Sequence, residues 1–410
     1  CRDQENKIDV LLILKNSYLL PSIKGRTMKS DLGVYNIWDV RRKAKRRLPK
    51  GIFEYIDRGA EDEVALRNNR DAFDKLKFLN RVLVDVSNRN LECKFLGKNI
   101  AMPFGISPTG TVGLTRYGGE IAVAKAARKM GVPCCVSTNA QTKMEEIFEK
   151  AGGNLWFQLY MWPDIDMRMR FVDRVKTVGF DTLVITVDGP VGSNREYNKR
   201  NGYGIPLRPN PRMIAQFLAK PSWFLSVIIQ HYVRRGPLIF ENYPIELRSK
   251  VTDRTQKYKL AKTDNQNWDD IRLIREKWHG KLILKGLLNK IDVVKAVEEG
   301  LDAVILSNHG GRYIDSSVSP IQVLPEIRAE IGEKFPLIVD SGPRRGSDII
   351  KALALGADLV MSGRPTLYGA AFNGEKGAYR VLEILRDETD TLMAQLGLNS
   401  IAEISPDILW

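Results

Sequence analysis

The sequence predicts an α/β protein whose core is a (β/α)8 TIM barrel, with an N-terminal helical cover and a long insertion after the fourth strand. Three observations lead there. From about Met102 onward eight short apolar or β-branched runs follow one another, helical patterns separate them, and polar residues end nearly every run. Strands alternating with helices imply parallel strands joined by right-handed crossovers, and eight such units are what a closed barrel needs. A doubly wound open sheet is the alternative. With 410 residues, 43% of them hydrophobic, the chain has ample material for one large core.

Residues 1–27, "CRDQENKIDVLLILKNSYLLPSIKGRT", carry acids ahead of a short, Lys-interrupted apolar run, so they fit neither a signal peptide nor an anchor. They are expected to be an extension, with the functional domain spanning 28–410. The basic run "RRKAKRRLPK", Arg41 to Lys50, follows in the expected helical cover.

The eight runs are "MPFGIS", "VPCCVST", "LWFQLY", "TLVITVD", "KLILKG", "AVILSNHG", "PLIVDSG" and "DLVMSG". Between them a helix is expected over Gly119–Met130, with Ile121, Ala124 and Lys125 on its 3.6 period. Another is expected over Ser347–Leu355, with Ser347 as N-cap and Gly356 as stop. The interval after "TVDGP" is far longer than a connection requires. In this insertion, residues 200–262, Phe217, Leu218, Trp223, Phe224, Leu225, Val227, Ile228 and Ile229 are bordered by Arg208, Arg212, Lys220, Arg234 and Arg235. Lys220 and Pro221 break the run, which is too short to span a bilayer. Apolar and Trp residues flanked by cations suit a segment lying in the interface of an anionic membrane; a helix packed on the barrel is the competing reading.

The formal charge of +14 admits nucleic acid, anionic membranes or small anions as partners, and no nucleic-acid motif accompanies it. Four cysteines without metal-ligand spacing indicate no metal site, no disulfide framework and a reducing compartment.

A barrel of this type gathers its chemistry at the C-terminal ends of the strands. The ends here read Ser137, Gln158 and Tyr160, Thr186 and Asp188, Lys285, His309 and Arg312, Asp340, and Gly363 and Arg364. After the last two strands, "VDSGPRRGSD" and "MSGRP" place Gly342, Arg344, Arg345, Gly346, Gly363 and Arg364. Glycines admit close backbone approach, and guanidinium forks match phosphate oxygens, so a phosphate-bearing cofactor is implied.

Together "YIDRGAEDE", "RVLVDVS", "SPTG", "FQLY", "TVD", "LILKG", "SNHGGR" and "DSGPRRGSDIIKALALGAD" resemble the FMN-dependent L-2-hydroxy-acid dehydrogenase and oxidase family, in family order from about Val34 to Leu409. The resemblance implies FMN, with its phosphate on Gly342, Arg344, Gly363 and Arg364 and its ribityl chain held by Asp340. The ring would meet Pro108, Thr109, Gly110, Ser137, Gln158, Thr186, Lys285 and Ser307. Lys285 would stabilise negative charge on the reduced ring. His309 would be the base and Asp188 its partner, with Gly310 and Gly311 letting the turn pass close to ring and substrate. Arg195 and Arg312 would clamp the substrate carboxylate, and Tyr55 and Tyr160 would bond the carboxylate and the reacting oxygen. His231 and His279 are expected to be structural.

The implied reaction takes an L-2-hydroxy acid, mandelate- or lactate-like, to the 2-keto acid. "SPTG" and the basic apolar insertion resemble the membrane-associated mandelate and lactate dehydrogenases, so a membrane quinone is the expected acceptor and the cytoplasmic face of the cell membrane the expected location. A soluble oxidase that forms hydrogen peroxide is the alternative, with a cytoplasmic location. The family also implies a homo-oligomer. Two departures stand out: Tyr313 and Ile314 occupy positions where the family carries Gln-Leu, and Asn139 replaces the bulky aromatic of glycolate oxidase-like members. A nucleotide dehydrogenase of the inosinate type would need a loop cysteine, whereas Cys134 and Cys135 lie within a strand. A barrel that had become a non-catalytic membrane-surface protein would have shed His309, Arg312, Lys285 or Asp188, and none is missing.

Overall fold

Eight strands, Phe104–Ile106, Cys134–Ser137, Leu155–Leu159, Thr182–Thr186, Lys281–Leu287, Ala303–Leu306, Leu337–Val339 and Leu359–Ser362, lie in the predicted runs in the computed structural model. It describes residues 32–203, 210–248, 250–252 and 264–410. Each strand pairs in parallel with the next, and the eighth closes on the first through Val360–Phe104, Met361–Gly105 and Ser362–Ile106. Closure excludes the open sheet. The expected extension 1–27, Arg208 and parts of the expected insertion lie outside the described residues.

The strands are buried along nearly their whole length, which is why they read as continuous apolar runs rather than alternating ones. Their inward side chains, including Cys135, Trp156, Val184, Ile283, Ile305, Ile338 and Met361, fill the barrel as one cluster. Each such burial is worth about 1.5–3 kcal/mol for a large aliphatic side chain. A hairpin, Cys93–Phe95 with Lys98–Ile100, adds Phe95 and Ile100 to that cluster at the N-terminal ends of the strands.

Helix Gly119–Met130 forms as expected, but it turns Val123, Ala124, Ala126, Ala127 and Met130 inward and leaves Lys125 in solvent. Lys125 was therefore misplaced on the apolar face. The later helix runs Gly346–Ala354 with Arg345, not Ser347, as its N-cap. Asp348 decides the start: its carboxylate accepts the backbone N–H groups of Arg344 and Arg345 at 2.7 and 3.0 Å, a stronger cap than a hydroxyl. Gly356, at φ +99°, ends the turn as expected.

Three helices, Ile37–Arg47, Lys50–Asp57 and Val64–Lys75, make the cover. The basic run is partly spent inside it. Arg41 grips Asp57 with two bonds of 2.6 Å, and Arg47 reaches Ser226 of the insertion.

The insertion folds as Pro211–Leu218, Pro221–Trp223, a π-helical stretch Phe224–Ile229, and Gln230–Arg235. The packing reading holds for one face, and the opposite face is left exposed. Trp223 and Val227 are buried, with Trp223 Nε1 donating to the Leu114 carbonyl at 2.9 Å. Leu218, Leu225, Ile229, Tyr232 and Val233 are exposed on the outside. No helix among the described residues is long and apolar enough to cross a membrane.

Candidate active site

A cavity of about 400 Å³ opens at the C-terminal face of the barrel. Its walls bring together Tyr55, Pro108, Thr109, Gly110, Tyr160, Arg195, Lys285, His309, Arg312, Asp340, Gly342, Arg344, Gly363 and Arg364. The remaining sequence-derived candidates, Ser137, Gln158, Thr186, Asp188 and Ser307, stand behind these walls at the strand ends.

His309 follows the sixth strand in a left-handed conformation (φ +57°), continued by Gly310 (+69°) and Gly311 (+70°). A non-glycine residue there costs about 1–3 kcal/mol and persists only when its surroundings fix it. They do: the N–H of His309 donates to Ser307 Oγ at 3.0 Å, that of Gly310 to Ser341 Oγ at 2.9 Å, and that of Gly311 to Asn308 Oδ1 at 3.1 Å. The expectation that both glycines admit ring and substrate is corrected in part. A Cβ on Gly311 would lie 2.6 Å from the Leu66 nitrogen, and one on Gly310 would lie 2.5 Å from Arg364 Nη1. The tight approach is to the cover and to Arg364.

His309 Nδ1 lies 2.9 Å from Asp188 Oδ1. An ionised carboxylate can only accept, so Nδ1 carries the hydrogen and Nε2 is left as a base. Burial lowers the imidazole pKa, Asp188 opposes this, and Lys285 and Arg312 add to it. Burial alone would raise Asp188, but the His309 pair and then Lys285 hold its carboxyl below the usual range. The resting pair is neutral imidazole and carboxylate, poised for proton uptake at Nε2.

Lys285 is almost fully buried, donating to Ser307 Oγ at 2.8 Å with its Nζ 3.1 Å from Asp340. Burial works against its charge, yet Asp340 and Asp188 raise its pKa above the usual value. Asp340 also accepts from Ser107 at 2.6 Å and Ser307 at 2.9 Å. Burial opposes its ionisation, but Lys285 and these hydroxyls keep its pKa low.

At the other end, Arg312 and Arg195 both lie over the Tyr55 ring, at 5.3 and 5.9 Å. Burial, then the neighbouring Arg195, lowers Arg312 to about 10, as expected for two cations with no anion between them. Burial, followed by Tyr313 and Asp188, pushes the Tyr160 phenol up, so it stays protonated as a donor.

Arg344 and Arg364 form a second cationic end. The hydrogen bonds of Arg344 go to the Pro343 carbonyl and Ser362 Oγ, and those of Arg364 to the carbonyls of Ile56, Gly310 and Arg58. Neither guanidinium forms an ion pair with a carboxylate among the described residues. Burial lowers Arg344 to about 10. Buried cations without a counter-ion, beside the N-terminus of helix Arg364–Leu396, are a site for an anion. Between the two ends, Gln158 Nε2 and Thr186 Oγ1 are buried with no hydrogen-bond partner among the described residues. A long guest with an anionic end and a polar, flat body fits these demands.

Sequence reasoning missed several parts. Arg70 of the cover ties down the anion loop through Asp348 at 2.5 Å and the Gly342 carbonyl at 2.8 Å. Ser341, at φ +81°, fixes the His309 turn; its place beside Asp340 in "VDSG" was the available signal. Trp162 and Tyr243 join Asn139 in the wall, and Tyr243 donates to Asn139 at 2.9 Å. At the departure from the family motif, Tyr313 sets its ring 4.7 Å from that of His309, while Asp315 accepts from the Asp62 and Ala65 N–H groups. His231 donates from Nδ1 to the Gly236 carbonyl at 3.2 Å, and His279 lies at the opposite end of the barrel. Burial pushes the Cys93, Cys134 and Cys135 thiols up, which leaves no activated cysteine among the described residues for the inosinate-type chemistry.

Known proteins are similar to this chain in sequence and in fold. The sequence model of the FMN-dependent dehydrogenase family matches residues 44–410. An (S)-mandelate dehydrogenase of Pseudomonas putida is 39% identical over 376 residues, covering 92% of this chain and 94% of the relative. An L-lactate dehydrogenase of Pseudomonas syringae is 35% identical, covering 90% and 97%. The crystal structure of a monotopic membrane protein, (S)-mandelate dehydrogenase, superposes with a TM-score of 0.86 at 38% identity, covering 92% and 99%. On these likenesses in sequence and in fold, the chain belongs to the FMN-dependent dehydrogenase family, as an FMN-containing oxidoreductase acting on 2-hydroxy acids.

Proposed function

We propose that the chain oxidises an L-2-hydroxy acid of mandelate or lactate type to the 2-keto acid and passes the electrons to a membrane quinone. The observation that carries the reading is the buried His309–Asp188 pair opening on a cavity whose nearby wall holds Arg195, Arg312 and two phenols. In this reading Arg312 and Arg195 hold the carboxylate, Tyr55 and Tyr160 donate to the carboxylate and the C2 oxygen, and His309 Nε2 takes the proton released in the oxidation. Asp188 holds the imidazole in its tautomer and stabilises the cation that forms. Bound FMN supplies the electron acceptor for this half of the cycle. Arg344, Arg364 and the backbone at Gly342 and Gly363 would hold its phosphate, Asp340 its ribityl chain, and Pro108, Thr109, Gly110, Ser137, Gln158, Thr186, Lys285 and Ser307 its ring. The orphaned Gln158 and Thr186 atoms would gain partners there.

Anaerobic mixing with L-lactate, (S)-mandelate, glycolate and a long-chain L-2-hydroxy acid tests the reading. Bleaching of the flavin by lactate or mandelate, with recovery faster on quinone than on oxygen, is expected. Rapid recovery in oxygen would instead make the enzyme an oxidase, and no bleaching by any acid would overturn the reaction.

The exposed Leu218, Leu225, Ile229 and Val233, with Lys220 and Arg234 on the same segment, support peripheral attachment to an anionic membrane. Flotation with anionic liposomes is expected at low salt, and Leu225→Glu should reduce it. A protein that stays at the bottom of the gradient argues for packing alone.

A further inference from the structure

We infer that the apolar cavity beneath the insertion is the binding site of the electron acceptor, and that it takes a quinone together with the first part of its hydrocarbon tail. The inference deepens the dehydrogenase reading and rests on it. The cavity measures about 750 Å³ and adjoins the active site, for Tyr55, Ile56, Gly192, Arg195 and Tyr313 stand in the walls of both. Beyond that shared wall the lining is mostly apolar and comes from the insertion, with Met213, Phe217, Trp223 and Ile228 prominent. A volume of this order suits a small aromatic ring with a short chain.

The cavity also reaches the outside. Ile214 and Tyr232 line it, yet are 50% and 68% exposed, and they emerge beside the exposed Leu218, Leu225, Ile229 and Val233. A molecule dissolved in lipid can therefore enter through an apolar mouth without crossing water.

The substrate's own tail is the competing guest, and the shared wall argues against it. That wall carries Arg195 and Tyr55, two groups assigned to the carboxylate, so a bound hydroxy acid turns its charged end toward the second cavity. Asn139, Trp162 and Tyr243 line the first cavity alone and are left for the substituent at C2. Hydrocarbon pressed against the Arg195 guanidinium would desolvate a charge with no compensation. A neutral quinone needs little polar contact, and the wall offers four buried polar atoms with no partner among the described residues, on Gln141, Asn198, Tyr203 and His231. His231 lines the cavity with its Nδ1 hydrogen engaged on Gly236, and its Nε2 has no partner among the described residues. Nε2 can accept the hydroxyl of the reduced ring. Over the full cycle the hydroxy acid loses two electrons and two protons, and the quinone gains both to become the quinol.

Ile228→Trp, and Met213→Phe as a second variant, would fill the cavity without touching the first. The FMN-loaded enzymes are reduced anaerobically by the acid found above, then mixed with a decyl-tailed benzoquinone or with ferricyanide. Bleaching by the acid and recovery with ferricyanide should match the wild type, while recovery with the quinone slows by roughly tenfold or more, a loss equal to one decade of affinity. In the wild type the quinone should quench Trp223 fluorescence saturably, measured against Trp223→Phe, and Ile228→Trp should abolish the quenching. Unchanged quinone recovery in both variants overturns the assignment. Slower bleaching by a long-chain acid, with quinone recovery unchanged, overturns it in favour of the substrate tail. A wild type that bleaches but never recovers with quinone refutes the acceptor reading itself, and the quenching arm distinguishes that from a cavity that binds nothing.

Discussion

Replacing His309 by glutamine is expected to slow flavin bleaching by the substrate by about 10²–10⁴-fold while leaving FMN bound. The amide keeps a polar group on the turn but cannot hold a proton at the position of Nε2. The turn should survive, because the hydrogen bonds that fix it come from the backbone N–H groups of residues 309–311, not from the imidazole. The pH profile supplies an independent check. Burial, with Lys285 and Arg312, lowers the His309 pKa against the pull of Asp188, so the base form predominates above the ordinary histidine value of 6.5. In the wild type the acid limb of kcat/KM should therefore lie below pH 6.5, and His309→Gln should erase that limb. Rapid-mixing absorbance under nitrogen measures both. Full residual bleaching would refute the role.

Lys285→Met should be the most destabilising of the substitutions considered. It removes the cation 3.1 Å from Asp340 and leaves a buried carboxylate supported by two serine hydroxyls alone. Breaking a buried pair from one side costs about 3–5 kcal/mol. The sign of the pH dependence follows from the same groups. In the wild type the depressed Asp340 carboxyl contributes stability that is present above its unfolded value near 3.8 and is lost as the pH falls through its lower folded value. Without Lys285, burial dominates and raises the carboxyl, so the variant's deficit should be greatest at neutral pH and shrink toward acid. Denaturant melts of the two proteins across about pH 4–8 would show it. A double variant, Lys285→Met with Asp340→Asn, should recover part of the loss, and no recovery would assign the destabilisation to lost packing.

The barrel was legible because fully buried parallel strands leave continuous apolar runs, and because the residue types that do chemistry stop those runs abruptly. Helix edges were less so. Ser347 has the composition of an N-cap, but the carboxylate of Asp348 reaches back to the Arg344 and Arg345 N–H groups and shifts the start. The insertion was half legible: its composition reveals an apolar, cationic segment, but which side chains turn inward depends on the π-helical stretch at Phe224–Ile229, whose extra residue per turn shifts the faces. Contacts that join distant parts of the chain were invisible. Arg70 to Gly342, Gly311 against Leu66, and Tyr243 to Asn139 all link residues whose local sequence carries no trace of the partner.

Arg364 has a consequence for the order of assembly. Its guanidinium joins carbonyls of Ile56 and Arg58 in the cover to that of Gly310 after the sixth strand, a closure across 308 residues in the first case. Contacts so distant in sequence form slowly, because the intervening chain must give up its freedom before any of them is made. During synthesis the first segments of the cover leave the ribosome long before Arg364 exists. The pocket around Arg364 is thus among the last features to mature, and if it takes the cofactor's phosphate as proposed, capture of the cofactor would belong to the end of folding rather than to its nucleation.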